Sequence, residues 1–530
     1  MKTEKSPTTG PWITAVSPQL TSPSLNNNTA DVDRLIKGIK QELETEEVIV
    51  GLSLIKGLSR SLRKYNYDVR ALLFQDRNYW HLIDLFGVED ETNLYGLALD
   101  LGSSTLALQL VDISDQKVMQ EVSFHNPQIE IGEDILTRIH YSTQEGGLSK
   151  LQGMLIQRLN EEIARLARRS GISTRSIVGM SVAGNTTMTH LFLGLDPYWI
   201  CREPYIPVIN RPDLLKSREL GLTINPGAPI LVFPNVGSYF GGDLIAGILA
   251  SGMTKKSETS FLVDVGTNAE VVIGNRDWLM ACAGAAGPAL EGGVANMGMM
   301  AGPGVIDKVT IDPVTHEFTT GTIQDNPPVR KSGAIRPVGI CGSGLIDLVA
   351  QLFLAKMIDL RGKFVADRCG DRLIEIDGIR HLMVVSPEDS GTDKALTLSQ
   401  TDIGGLIRSK AAMYTILTTV ANTVNIPLNE IKRFYVAGTF GSYINPESAI
   451  TIGMIPDLPL DTYVSLGNTS LKGAGRALLE AGAREEVSRI RDQITYLELN
   501  VNQEFMNLFS AAKFIPHTER SLFPSVKGLD

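Results

Sequence analysis

Cysteine is nearly absent from this chain of 530 residues: Cys201, Cys282, Cys341 and Cys369 are the whole complement. They stand far apart and form no C-x-x-C pair, the spacing that holds zinc or an iron–sulfur cluster, so reduced core thiols are the expected state. The seven histidines are as scattered, and no metal-ligand cluster can be read from them. Basic runs are missing too. With 49 Lys and Arg against 59 Asp and Glu the formal net charge is −10, and nothing tracks a phosphate backbone, so nucleic acid is not an expected partner. Although 43% of the residues are hydrophobic, no uninterrupted apolar stretch approaches the roughly 18 residues of a membrane helix. The N-terminal MKTEKSPTTGPWITAVSPQLTSPSLNNNTAD has no apolar centre of the secretory kind. It reads as a flexible arm or linker over residues 1–30 of a soluble, cytoplasmic protein.

What is present is a long α/β pattern, too long for one ordinary hydrophobic core, so roughly two to four domains are expected. DVDRLIKGIKQELE places apolar residues at helical spacing, and strand-like pieces alternate with a second amphipathic stretch up to Glu91, predicting a small α/β module over 31–93. At Leu94 the character changes: LYGLALDLGSSTLALQLVD reads as strand, glycine turn, strand. Farther on, Leu155, Leu159, Ile163 and Leu166 share one helical face, with Gly171 placed to end the helix. The opening pattern then recurs in SFLVDVGTNAEVVIGNRDWLMACAG. Two copies of one plan predict a duplicated domain pair, a first subdomain over 94–260 and a second over 261–530 with a C-terminal extension.

The repeated turns carry the chemistry. In Asp100-Leu101-Gly102-Ser103-Ser104-Thr105 the glycine permits a tight turn, backbone N–H groups can face phosphate oxygens, and three hydroxyls add donors. The Asp100 carboxylate would hold Mg²⁺ through water. Asp264-Val265-Gly266-Thr267-Asn268 supplies the same parts, and its carboxylate could orient or deprotonate an attacking water. Each loop alone is also what an ordinary hairpin with a solvated aspartate looks like; the pair is the signal. A third loop, Val436-Ala437-Gly438-Thr439-Phe440-Gly441, follows an apolar strand and precedes Asn445-Pro446, a good cap and first turn for a helix. Its glycines could admit an adenosine. Gly284–Gly293 and Gly339–Gly344 are either helix starts facing a nucleotide or sites of close helix packing, with Gly342 and Ser343 the preferred cleft residues.

The ordered set DLGSST, DVGTNAE, GICGSG and VAGTFG resembles the nucleotide site of the actin/hexokinase superfamily. With NPQ at 126–128, GEDILTRI at 132–139, VAGNTTMTHLFLG at 182–194 and GPALEGG at 287–293, the chain resembles, over roughly residues 18–520, the reductive activators of corrinoid proteins. That resemblance implies duplicated ribonuclease-H-like (actin-like ATPase) domains, with ATP and Mg²⁺ as cofactors. It assigns Asp100 and Asp264 the catalytic and magnesium roles. Gly102, Ser103, Ser104, Thr105, Gly266, Thr267 and Asn268 would bind phosphate, and Gly342, Ser343, Gly438, Thr439, Phe440 and Gly441 adenosine. The implied task is ATP-driven return of cobalt(II) corrinoid to cobalt(I) in a corrinoid protein or corrinoid-dependent methyltransferase. Activators of this kind receive the electron through an iron–sulfur cluster. The four cysteines here supply none, so a separate ferredoxin-like donor is expected, and a homodimer is left open. A sugar-kinase-type phosphotransferase and a nucleotide-gated binding protein are the alternatives.

Overall fold

A computed structural model describes residues 11–90, 93–265, 269–284, 295–323, 335–438, 444–499 and 503–527. The chain divides into two compact units, one formed by residues 1–250 with 469–492 and the other by 251–468 with 493–530.

The first unit begins with a four-stranded sheet of order β1-β3-β4-β2, built from β1 (Ile13–Val16), β2 (Val48–Ile49), β3 (Val69–Asp76) and β4 (Tyr79–Gly87). Helices α1 (Asp31–Glu42) and α2 (Leu52–Lys64) cover it with the apolar stripes the sequence predicts: Leu35, Ile39, Leu58 and Leu62 pack with Leu73 and Leu82. One expectation is corrected here. Part of the stretch read as a flexible arm is a strand, since Ile13–Val16 pairs antiparallel with Ala71–Phe74 and Trp12 donates from Nε1 to Ala477 O at 2.9 Å.

The larger sheet of this unit has the order β7-β6-β5-β8-β10-β9. Its strands are β5 (Tyr95–Leu101), β6 (Thr105–Asp112), β7 (Lys117–His125), β8 (Ile177–Gly184), β9 (Leu215–Lys216) and β10 (Pro229–Val232). The first three form an antiparallel meander, and β8 and β10 continue parallel to β5. Between them lie α3 (Ile135–Ser142), α4 (Gly147–Ser170) and α5 (Thr186–Leu193); α6 (Gly242–Ser251) follows β10. The four predicted residues of α4 are buried in a core with Leu97, Leu99 and Leu108, and Gly171 closes the helix at φ +66°.

The second unit repeats this plan. Its main sheet runs β21-β20-β11-β12-β13-β22, with β11 (Ser260–Val265), β12 (Ala269–Gly274) and β13 (Leu279–Gly284) as the antiparallel meander. Strands β20 (Arg433–Ala437) and β21 (Tyr463–Gly467) add parallel to β11, and β22 (Ile494–Tyr496) closes the far edge. The duplicated actin-like architecture thus extends beyond motif to the order of five strands, while the sixth strand lies at opposite edges, β9 beside β10 and β22 beside β13. Smaller sheets are β14 (Val305–Ile311), β15 (Phe318–Thr322) and β16 (Gly339–Ile340), then β17 (Leu373–Ile376), β18 (Ile379–Val385) and β19 (Leu396–Ser399). The principal helices are α7 (Gly342–Leu354), the short α8 (Ala366–Cys369), α9 (Gln400–Thr423) and α10 (Pro446–Thr451).

Helices α11 (Thr469–Leu479) and α12 (Ala483–Gln493) were expected within the second subdomain, but α11 packs on β5, β6 and β8 of the first unit. Small residues make this possible: a Cβ on Gly473 would sit 2.2 Å from Ala246 O, and Leu478 reaches the bare Cα atoms of Gly96 and Gly179. Near the C-terminus, α13 (Gln503–Ala512) lies against α9.

Candidate functional site

In both units a carboxylate stands where a parallel strand ends, the edge at which open α/β sheets receive ligands. In the first unit Asp100 is half-buried on β5, opposite Ala183 of β8, and the chain turns immediately through Gly102. No other residue fits that turn, because a Cβ at position 102 would lie 2.2 Å from Thr105 O. Gly102 and Ser103 are half-exposed, and Ser104 and Thr105 are exposed, so the turn presents its donors outward.

Two neighbouring turns complete this edge. β8 runs into Asn185, which caps α5 by accepting from Met188 N at 2.9 Å. Gly241 comes so close to that turn that a Cβ would lie 2.6 Å from Asn185 Cα and 3.0 Å from Gly184 O. Asp243, two residues on in the first turn of α6, accepts from Leu244 N at 2.9 Å. Asp243 is a second acidic group at this edge that the sequence motifs did not single out; its signal was a Gly-Gly-Asp placed after an apolar strand and before a helix.

The same edge carries His190, which is fully buried on α5. Its Nδ1 meets Thr186 O at 2.7 Å, and its Nε2 accepts from Val208 N at 3.1 Å, so the pairing assigns the ring proton to Nδ1. Burial holds this imidazole below its ordinary pKa.

In the second unit Asp264 is the penultimate residue of β11, opposite Ala437 of β20. Gly438 follows in the left-handed region at φ +79°, and a Cβ there would stand 3.0 Å from Asp264 Oδ1. The structure therefore brings these two predicted residues side by side. Gly342 and Ser343 are buried at the start of α7, where the Ser343 hydroxyl meets Cys341 Sγ at 3.1 Å. Gly339 and Gly344 serve close packing, since Cβ atoms there would meet Met297 O at 2.8 Å and Ile306 O at 2.4 Å. Asp347 ties α7 to its surroundings, accepting from Val309 N at 2.7 Å and from Ser448 Oγ of α10 at 2.5 Å. Asn445 caps α10 as expected, accepting from Glu447 N at 3.0 Å. Gly266, Thr267, Asn268, Thr439, Phe440 and Gly441 lie outside the described residues, as does GPALEGG.

A nucleotide with Mg²⁺ fits these edges on chemical grounds: carboxylates, hydroxyls and glycine turns open to polyphosphate. Among the described residues no three His, Cys, Asp or Glu gather as a metal site, so a magnesium ion here would draw its other ligands from phosphate oxygens and water. The four thiols are free; burial pushes Cys369 up to about 11 and Cys282 higher still. Among the described residues no helix is long and apolar enough to cross a membrane.

Comparison with known proteins gives a consistent picture. Family models match nearly end to end: the RACo linker region over residues 3–92, the RACo middle region over 95–256, and the C-terminal domain of RACo, described as the ASKHA domain, over 258–527. The chain is similar to a solved structure of a reductive activator for corrinoid, iron-sulfur protein, with 36% identity and a TM-score of 0.85, covering 99% of this chain and 82% of that one. It is 29% identical to the corrinoid activation enzyme RamQ of Eubacterium limosum, over 91% of this chain and 79% of that protein. It is 23% identical to the [Co(II) methylated amine-specific corrinoid protein] reductase of Methanosarcina barkeri, covering 78% and 76% of the two chains.

Proposed function

This chain belongs to the RACo family, and on that premise we propose that it hydrolyses ATP to support reductive reactivation of a cobalt(II) corrinoid protein. The observation carrying the proposal is the duplication: each unit has an aspartate one residue before the end of its central strand, followed in the first unit by Gly102, where a Cβ would meet Thr105 O at 2.2 Å, and flanked in the second by Gly438 at φ +79°. Phosphoryl transfer needs mainly positioning and charge stabilisation, which such preformed edges supply.

In this reading the Asp100 turn binds phosphate oxygens through its backbone N–H groups and the hydroxyls of Ser103, Ser104 and Thr105. The Asp264 carboxylate orients the attacking water and takes up its proton, and Gly438 leaves room beside it. Gly266, Thr267 and Asn268 add phosphate contacts, and Gly342, Ser343, Thr439, Phe440 and Gly441 serve the adenosine side. Bound Mg²⁺ would supply charge neutralisation of the phosphates, with Asp100 and Asp264 each a candidate to hold it through water. Asp243, poised at the α6 start, is a further acidic candidate for ordering water.

The substrate is a corrinoid protein or corrinoid-dependent methyltransferase whose cobalt(II) takes up one electron to become cobalt(I). In this reading a separate ferredoxin-like iron–sulfur protein supplies the electron, consistent with four cysteines that form no C-x-x-C pair. The test combines the purified chain, reduced ferredoxin, a cobalt(II) corrinoid protein and Mg·ATP. Cobalt(I) absorbance should appear only with ATP; its absence, with hydrolysis also absent, would sink the proposal.

A further inference from the structure

The NPQ, GEDILTRI and GNTTMT segments, which the nucleotide chemistry leaves unexplained, meet at one side chain. Asn126 is 1% exposed, and its polar groups are engaged. Its backbone N–H donates to Ser104 O at 2.9 Å and its Nδ2 donates to Gly102 O at 3.0 Å, so it grips both sides of the Asp100 turn. Its Oδ1 accepts from Gln128 N at 2.9 Å, capping the turn that Pro127 opens. Gln128, fully buried, then anchors to α4 by donating to Leu151 O at 2.9 Å.

The outer side of Asn126 is equally fixed. Met188 Sδ of α5 lies 3.8 Å from Nδ2 and accepts from Arg138 Nη1 at 3.4 Å. Arg138 is fully buried on α3; its Nε donates to Gly132 O at 2.8 Å and its Nη2 to Glu133 O at 3.4 Å. A buried guanidinium is costly to hold without hydrogen-bond acceptors, and here carbonyls and a thioether hold it against α5. Thus α3, α4 and α5 converge on the two carbonyls that define the turn.

We propose that Asn126, backed by Met188 and Arg138, is a positioning residue that holds the Gly102–Ser104 turn in its phosphate-accepting conformation. This rests on the ATP reading above, although the anchoring itself does not need nucleotide. Misplacement of a reacting group by about 1 Å can cost on the order of 10²-fold in rate, so the grip matters to chemistry as well as folding.

Asn126→Asp isolates the role: it keeps the shape and the capping oxygen but replaces the Nδ2 donor by an oxygen facing Gly102 O. In the full chain, kcat/KM for ATP should fall about 30- to 100-fold at pH 8, and backbone amides of 101–106 should exchange faster with solvent. Lowering the pH should partly restore the Asp variant, because a protonated carboxyl can donate to Gly102 O; the unmodified chain should show no such gain. Met188→Leu, which keeps the volume, should give a smaller loss of the same kind. If Asn126→Asp lowers only the unfolding temperature while exchange and kcat/KM stay unchanged, the side chain is merely structural and the proposal is overturned. Should the unmodified chain fail to hydrolyse ATP, the functional reading falls, and exchange alone decides the anchoring: faster at 101–106 upholds it, unchanged overturns it.

Discussion

Replacing Gly438 by alanine separates backbone strain from damage to the site. At φ +79° any side chain meets the left-handed penalty of about 1–2 kcal/mol. In a unit of this size each kcal/mol lowers the unfolding temperature by about 2–4 °C, so a drop of roughly 2–8 °C is expected. The new methyl would also stand 3.0 Å from Asp264 Oδ1, tighter than an ordinary contact, and the carboxylate must yield. Gly378 supplies the control: at φ +76° in the β17–β18 turn, with nothing within 4 Å of a Cβ, Gly378→Ala carries the strain without the contact. Both variants should lose similar thermal stability by calorimetry, but only Gly438→Ala should lose ATP turnover, about 10- to 100-fold. Equal turnover in the two, after matching for folded fraction, would refute the pairing of Gly438 with a working Asp264.

Asp100→Asn and Asp264→Asn should each lower steady-state phosphate release by about 10²–10³-fold, as loss of a preorganised charged group does; full activity in either removes that residue from the site. His190 predicts acid sensitivity: its folded pKa lies below the ordinary value near 6.5, so its contribution is present above that value and lost as pH falls through the lowered one. Amide exchange in 205–210, where Val208 N donates to the ring, should accelerate over that window, and His190→Gln should flatten the response. Lys410, buried on α9 and donating to Phe514 O and to Pro516 O at 2.7 Å, has its pKa lowered by burial. Between that lowered value and about 10.4 the unfolded chain binds more protons, so urea-unfolding stability should rise with pH more steeply in the natural chain than in Lys410→Met. Gly473→Ala should destabilise the first unit by about 1–3 kcal/mol or more through overpacking on Ala246 O, readable as a lower urea midpoint.

The parts legible in the sequence were those with a short period or an obligate glycine. Alternating apolar residues around Asp100 and Asp264 announced two hairpins, and both are antiparallel pairs. The face of Leu155, Leu159, Ile163 and Leu166 announced α4. Contacts between distant segments were not legible. Nothing in NPQ says that an asparagine side chain reaches back 24 residues to Gly102, and nothing in TSLKGAGRALL says which sheet its small residues will meet. Ile13–Val16 is four residues long, too short for alternation to show, and its strand character comes from pairing with β3. Nor does any local pattern announce that Cys341, beside Ser343, will donate to Ile306 O of β14, 35 residues away.

The return of α11 to the first unit sets an order of events during synthesis. Strand β5 leaves the ribosome about 370 residues before the helix that covers one face of it, a wait on the order of 20–75 s at ordinary translation speeds. Through that interval the patch around Gly96 and Gly179, which Leu478 later occupies, has no cover from its own helix. A nascent chain of this kind presents an apolar sheet face to whatever binds it while residues 251–468 of the second unit are being made, and a transcript truncated after residue 468 would leave that face of the first unit without α11 while also removing β22 and α13 from the second.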